Sequence, residues 1–202
     1  MTDATVLQTQ TPQTQTPQTQ AAPIDFRNLI WAALALAAMT GVIVWDNQWA
    51  LTFLHIFVGG LWTGIDLFMG FIVGPVLRST PFEARRSVML RLTPRTIFVL
   101  PVLSIATSTT GWYLAKMLGY LDAPWPAYGW VVAALVVVTI LTIQGVGFLL
   151  PTQIRVYLEL RKQDPDQARI GRLTGSYFYI VAAQGVLQVV ILVIMARFRL
   201  GI

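Results

Sequence analysis

Two ionisable side chains in one apolar segment are the residues of this sequence that could do chemistry inside a membrane. His55 is the only histidine of the chain, and Asp66 is the one acidic residue deep within an apolar run. At about 100° per residue, His55, Trp62 and Asp66 fall on a single stripe of a helix. Because a charge that faces lipid is costly, we expect this stripe to face the interior of a helical bundle.

Several roles are open for His55. It could be an axial ligand of haem b, a ligand of copper or a proton-relay group. Met39 lies six residues from the predicted outer end of its helix, as His55 does, so the two could be level and share a cofactor or metal. Haem with two histidine ligands would need a histidine from another subunit, whereas five-coordinate haem would not. The structural alternative is a hydrogen bond to Thr110 or another hydroxyl group of residues 104–110.

Asp66 belongs to a second, deeper level of polar side chains. Counting residues from the outer helix ends places Gln144, Ser104 and Gln184 near its depth. A carboxyl group there could handle protons, or it could be a structural group that Gln144 and Ser104 satisfy by hydrogen bonds. We expect Gln184 and Gln188, one turn apart, to hold helices together rather than to bind a ligand.

The composition defines the scaffold that must position these residues. Of the 202 residues, 55% are apolar and 11% are charged, which is too little charge for the surface of a soluble domain. These values exclude a cytosolic globular enzyme, a coiled coil and a disordered regulator. The absence of cysteine excludes disulfides, thiolate metal sites and thiol nucleophiles. Ser-His-Asp arrangements, carboxylate pairs, phosphate loops and zinc spacings are also missing, so no stand-alone catalytic centre is predicted.

Five apolar runs are long enough to cross a bilayer, and such runs must be helical because lipid cannot satisfy backbone polar groups. We therefore predict an all-α polytopic membrane protein, a bundle of five transmembrane helices. The predicted spans are residues 26–45, 49–73, 96–118, 128–150 and 174–196. Residues 1–23 form a Gln/Thr/Pro-rich repeat that we expect to be a disordered tail, and residues 24–202 form the transmembrane domain.

The basic residues predict the topology. With five spans, 11 of the 14 Lys and Arg residues fall on one side, which the positive-inside rule makes cytoplasmic. The N-terminus is then inside and the C-terminus outside, and the net charge of +5 reflects topology rather than nucleic-acid binding. An aromatic belt is predicted at the outer interface, formed by Trp45, Trp49, Trp112, Trp125 and Trp130.

The two basic connections are predicted to be structured. Thr80–Glu83 has the pattern of a capping box, and a short Arg-rich helix would run from it to Pro94 along the inner leaflet. The fourth helix is expected to continue past Pro151, supported by an Arg155–Glu159 pair. Residues 164–167 then form a turn and begin the fifth helix. The resulting hairpin could dock a partner protein or remain solvated.

Gly60 and Gly64 form a Gly-x-x-x-Gly motif on the side of the helix opposite Asp66. Small residues at this spacing let two helices approach closely. The motif predicts a packing face, used either within one chain or in a homodimer.

Three groups of residues resemble a known family. Leu54-His55, Trp62-Thr63-Gly64 and residues 74–77 (Gly-Pro-Val-Leu) are similar to the His-x6-Trp-x-Gly helix of the CopD-like (copper-resistance D) superfamily of small bacterial membrane proteins. The resemblance implies a helical bundle in the bacterial inner membrane that handles a metal or haem. It implies a ligand role for His55 and a packing role for Trp62 and Gly64.

Three functions compete on these observations. The first is a CopD-like protein that binds haem b or copper near its outer face through His55, with Met39 as a second ligand. The second is a non-catalytic subunit or assembly factor of a membrane complex, docked through the cytoplasmic loops. The third is a proton-linked small-solute transporter that uses Asp66. The expected partners are the lipid bilayer and either a complex partner or a second copy of the chain.

Overall fold

The described part of the chain is a bundle of long helices. The computed structural model describes residues 27–200, and these residues contain helices and turns but no strand. Five of the helices are long and apolar enough to cross a membrane, which confirms the predicted all-α class with five spans. They are α1 (Arg27–Trp45), α2 (Gln48–Ser79), α3 (Phe82–Met117), α4 (Tyr128–Leu160) and α5 (Gln167–Arg199). The predicted disordered tail, residues 1–23, lies outside the described residues.

At the end of the bundle that carries most of the arginines, here called the basic end, the helices run well beyond the predicted spans. The expected surface helix before Pro94 is not separate, because α3 continues through Pro94 and Pro101 without a break. The expected capping box is also absent. The hydroxyl group of Thr80 donates a hydrogen bond to the backbone carbonyl of Val76, at 2.8 Å, and no side chain accepts from the backbone N–H groups of the first turn of α3.

Two of the helices contain a widened turn. Residues Met69–Val73 of α2 and Ile143–Leu149 of α4 are π-helical. In each case a proline follows shortly, Pro75 in α2 and Pro151 in α4. Proline lacks an N–H group and its ring clashes with the carbonyl four residues earlier, so a local change in hydrogen bonding is expected before it. Such π-turns occur frequently at functional sites.

The helices pack in the order α1, α3, α2, α5 and α4, and the basic-end extension of α4 returns to contact α3. Most buried apolar side chains gather toward the basic end. This core includes Met69, Leu77, Met89, Leu90, Leu149, Val156, Tyr157, Leu160, Ile170, Tyr177, Phe178 and Val181. Helix α1 lies at the periphery, and Met39 is its one buried residue.

Close contact between α2 and α5 depends on glycine. A Cβ atom at Gly70 would lie 2.8 Å from the backbone of Ala182, and one at Gly185 would lie 2.8 Å from the side chain of Leu67. In contrast, a Cβ atom at Gly60 or Gly64 would meet no atom within 4 Å. Of the two uses left open for Gly60 and Gly64, close packing within the chain is therefore not seen, because their side of α2 faces outward.

The two basic connections are joined to one another. Arg86, near the start of α3, donates hydrogen bonds from Nε to the carbonyl of Leu160 and from Nη2 to the carbonyl of Lys162, both at 3.0 Å. A cation that binds the last carbonyl groups of a helix satisfies otherwise unpaired acceptors and interacts favourably with the helix dipole. Arg86 therefore closes the end of α4.

Glu159 holds the hairpin between α4 and α5. Its carboxylate contacts Lys162 at 2.8 Å and Arg169 at 3.5 Å, and not Arg155 as the spacing suggested. The side chain of Asp166 accepts a hydrogen bond from the backbone N–H of Arg169, at 2.9 Å, so it caps the start of α5. The predicted turn and helix start at this position are thus present.

The outer surface of the bundle is apolar, as contact with a bilayer requires. Large exposed apolar side chains occur on all five helices. The five tryptophans predicted to form the belt are exposed, and they are Trp45, Trp49, Trp112, Trp125 and Trp130. A polar or charged group inside such a bundle must find its partners from the protein itself.

Candidate functional site

The centre of the candidate site is the buried carboxylate of Asp66, which is 1% exposed. Its Oδ2 atom accepts hydrogen bonds from Nε2 of Gln184, at 2.7 Å, and from Nε2 of Gln188, at 2.9 Å. Both glutamines lie on α5 and are 2% and 1% exposed. The side chain of Trp62, one turn earlier on α2 and also buried, interacts with the same carboxyl group.

The partners of Asp66 differ from those we expected. Gln184 is at the depth that residue counting gave, and Gln188 is the second donor. Both amides bond from α5 to α2, which is the helix-joining role expected of the two glutamines. Ser104 is not a partner, since its hydroxyl group donates to the carbonyl of Pro101 on its own helix at 3.0 Å. Gln144 lies in the π-helical segment of α4, and its Oε1 atom is buried without a hydrogen-bond partner among the described residues.

His55 forms a second polar contact on α2, nearer to the end of the bundle opposite the basic end. Its Nδ1 atom lies 3.1 Å from the carbonyl oxygen of Thr107 and 3.2 Å from the hydroxyl oxygen of Thr110, both on α3. The hydroxyl group of Thr110 donates to the carbonyl of Ala106 at 2.6 Å, so its oxygen is free to accept from the imidazole. Because a carbonyl oxygen can only accept, these contacts assign the proton to Nδ1 and leave the lone pair of Nε2 for another partner.

Gly111 makes room for the imidazole ring. A Cβ atom at this position would lie 2.8 Å from Cε1 and 3.3 Å from Nδ1 of His55. The absence of a side chain at Gly111 therefore lets the ring lie against the backbone of α3, where Thr107 can bind it. The sequence suggested a hydrogen bond between His55 and Thr110, and this bond is present. The contact with the carbonyl of Thr107 is additional.

Met39 is buried, but its neighbours are apolar. It belongs to a small cluster with Val58 and Ala106. Val58 follows His55 by three residues, about one helical turn, and Leu54, the residue before His55, also packs against the cluster. Within residues 27–200, no three or more His, Asp or Glu side chains gather at a potential metal site. A metal ion at His55 would thus need other kinds of ligand.

Sequence reasoning indicated the hydroxyl groups of residues 104–110 as partners of His55, but it missed the carbonyl of Thr107 and the role of Gly111. Both lie in the segment of α3 that is rich in small and hydroxyl-bearing residues, 104–111, which is the signal that could have identified them. Hydroxyl groups in membrane helices commonly bond to carbonyl groups one turn earlier, so they add little polarity to a helix surface. Such a segment can therefore pack against a neighbouring helix and still provide oxygen atoms that bind a histidine side chain.

Comparison of the chain with protein-family models, with curated proteins and with solved structures found no match. Any assignment of function therefore depends on the residues described above.

Proposed function

We propose that this chain is a CopD-like membrane protein that holds haem b or copper near its outer face through Nε2 of His55. The observation that supports the proposal is the contact of Nδ1 with the carbonyl of Thr107, at 3.1 Å. Metal-binding histidines commonly donate their other ring N–H to a carbonyl or carboxylate, which fixes the ring and the tautomer. Haem or copper bound there would supply one-electron redox chemistry.

Three arrangements are possible for the second ligand of the iron or copper ion. Met39 packs in an apolar cluster with Val58, and Leu54, the residue before His55, packs against the same cluster, so the thioether of Met39 is one candidate for the second ligand. Five-coordinate haem requires no second protein ligand. A histidine from a second copy of the chain would give a site with two histidine ligands. These arrangements differ in their optical spectra, so one measurement separates them.

The test is an optical spectrum with metal analysis of the full chain purified in mild detergent, beside His55→Ala. We expect a Soret band or one copper ion per chain, lost in this variant. Ile56→Ala is the matched control, because Ile56 is the next residue of the helix and is 66% exposed on the outer surface. Protein that is colourless and free of metal in native membranes would refute the proposal, as would a cofactor retained by His55→Ala.

A second candidate function, proton-linked transport of a small solute, is favoured by the burial of Asp66 between two glutamines. An ionisable group in a membrane helix is a common feature of proton and ion pathways. The π-helical segment that begins at Met69, three residues after Asp66, adds a point where α2 departs from regular geometry. Solute uptake into vesicles with an imposed pH gradient would test this function, with Asp66→Asn expected to abolish it.

The third candidate is a subunit of a larger complex. Its predicted docking surfaces are the two basic connections, which Arg86 already joins through the carbonyl of Leu160. A partner would then meet one preformed surface rather than two mobile loops. Deletion of residues 161–166 should release the partner while His55→Ala should not, and co-purification from native membranes would measure both.

We propose the inner membrane of a bacterium as the location, with the basic end in the cytoplasm. The arginines at that end, among them Arg86, support this orientation through the positive-inside rule. A reporter that is active only outside the cytoplasm should be active when fused after residue 202 and inactive when fused within residues 161–166. The reverse pattern would overturn the orientation.

A further inference from the structure

The bundle contains side-chain oxygens that are buried and lack partners. Within residues 27–200, Oδ1 of Asp66, Oε1 of Gln184, Oε1 of Gln188 and Oε1 of Gln144 are buried and form no hydrogen bond. The first three belong to residues that are 1%, 2% and 1% exposed. A buried polar atom without a partner is costly, most of all in a membrane where water cannot relieve it.

Three of these oxygens lie close together by covalent geometry. The amide nitrogens of Gln184 and Gln188 lie 2.7 and 2.9 Å from Oδ2 of Asp66. In each amide the oxygen is bonded to the same carbon as the nitrogen, so each Oε1 lies within about 5 Å of the carboxylate. Asp66 and the two amides therefore offer three free oxygens in one small volume between α2 and α5.

Helix α4 lies beside this group of oxygens. Oε1 of Gln184 lies 4.0 Å from the position a Cβ atom would take at Gly145. This free oxygen thus faces the π-helical segment of α4, where Gln144 precedes Gly145. Free oxygens from α2 and α5 accordingly lie beside the segment of α4 that carries Gln144, whose own Oε1 atom is buried and unpaired.

The chemistry of the free atoms specifies their ligand. All four are acceptors, and the donors of both α5 glutamines already bind Asp66. Oxygen ligands of this kind are preferred by hard cations. With Asp66 ionised the group carries one negative charge, and the side chains that contact the carboxylate, the two amides and the indole of Trp62, are neutral. A monovalent ion would neutralise the site, whereas a divalent ion would leave a positive charge in the membrane interior, which is unfavourable.

We propose that Asp66, Gln184 and Gln188, together with Gln144, bind one Na⁺ ion inside the bundle. The ion would satisfy the four unpaired oxygens and neutralise the carboxylate. It would also tie α2, α4 and α5 together at the level where two of these helices widen into π-turns. The proposal is independent of a cofactor at His55, which lies on α2 three turns away and bonds to α3.

The test is direct binding of radioactive Na⁺ to the full chain in mild detergent, by equilibrium dialysis with choline chloride holding the ionic strength constant. We expect one Na⁺ per chain. Asp66→Asn keeps the shape of the side chain but removes the charge, and should weaken binding at least tenfold. Gln144→Leu should weaken it by a smaller factor. Ser104→Ala is the matched control, because its hydroxyl group bonds only within α3.

A second measurement keeps the test informative if Asp66→Asn folds poorly. Thermal unfolding of the wild-type chain should shift upward with NaCl but not with choline chloride, because a ligand of the folded state stabilises it. His55→Ala should retain both responses. Absence of Na⁺ binding by the wild-type chain would overturn the proposal. So would unaltered binding by Asp66→Asn, or a stability that responds to pH but not to Na⁺.

Discussion

The carboxylate of Asp66 accepts a hydrogen bond from the side chain of Gln184 at 2.7 Å, although the two residues are 118 positions apart in sequence. The bond joins the second and fifth helices at a buried level of the bundle. The side chain of Gln188 donates a second hydrogen bond from the fifth helix to the same carboxylate. Because glycines bring the same two helices into close contact nearby, polar bonding and tight packing act together at this interface.

Replacing Asp66 by alanine should destabilise the fold. The change removes the acceptor of both glutamine amides and leaves two buried donors unpaired, at a cost of about 1–3 kcal/mol. Ser104→Ala, which removes a bond within one helix only, should cost less than about 0.5 kcal/mol. Unfolding of both variants in the same detergent, measured by circular dichroism, gives the comparison. Equal stability of the two variants would show that the link between Asp66 and α5 is energetically unimportant.

Two glycine substitutions on α2 should have opposite outcomes. Gly70→Ala puts a Cβ atom 2.8 Å from the backbone of Ala182, so the helices must separate, and we expect a loss of about 1–3 kcal/mol. Gly64→Ala meets no atom within 4 Å and should be neutral or slightly stabilising, since alanine favours the helix. Thermal unfolding of the two variants tests this difference. Cross-linking of Gly64→Ile would show whether that outward face mediates dimerisation, because a bulky side chain there should abolish a dimer.

Arg86→Ala should loosen the hairpin at the basic end. The change leaves the carbonyl groups of Leu160 and Lys162 without the guanidinium that binds them, and bonds to charged groups contribute about 1.5–3 kcal/mol. We expect faster proteolysis and faster amide exchange within residues 161–166. Arg91→Ala, a change at an exposed position of the same helix, is the control and should leave both rates unchanged. Unaltered rates in Arg86→Ala would show that the bonds from Arg86 to the carbonyl groups of Leu160 and Lys162 do not hold the hairpin in place.

The imidazole of His55 should carry its proton on Nδ1. The chain has a single histidine, so nitrogen NMR of histidine-labelled protein reports this ring alone. We expect a protonated Nδ1 and an unprotonated Nε2 in protein stripped of any cofactor, because the carbonyl of Thr107 accepts from Nδ1. Gly111→Ala should disturb both signals by displacing the ring, whereas Gly41→Ala, with no atom within 4 Å of the added Cβ, should not. A proton on Nε2 would contradict the assignment.

The sequence predicted the helices and the buried stripe well, for clear physical reasons. Long apolar runs must be helical in lipid, and a carboxyl group within one must face inward, so the burial of Asp66 and Trp62 follows from composition and spacing. The outward position of Gly64 did not follow. A small residue permits close contact, but only the arrangement of the other helices decides which small residue meets a neighbour.

The partners of Asp66 could not be predicted from depth alone. Counting residues assumes that the helices are parallel and start at the same level, and it does not show which way a side chain points or whether its own helix already satisfies it. Ser104 appeared suitable by depth, but its hydroxyl group is satisfied by its own helix. Gln188 was not counted at the depth of Asp66, yet its long side chain reaches the carboxylate at 2.9 Å. Prolines just after Met69–Val73 and Ile143–Leu149 were the available signal for the irregular turns.

The π-helical turn at Met69–Val73 also determines where α2 can lose a residue without disturbing the packing of the bundle. A π-turn takes up one residue more than an α-turn, so a single-residue deletion within it would restore an α-helix and leave both halves of α2 facing their present neighbours. The same deletion elsewhere in α2 would rotate one half by about 100° and carry Asp66 away from the glutamines of α5. The chain is thus tolerant of shortening at the one place on this helix where its geometry looks least regular.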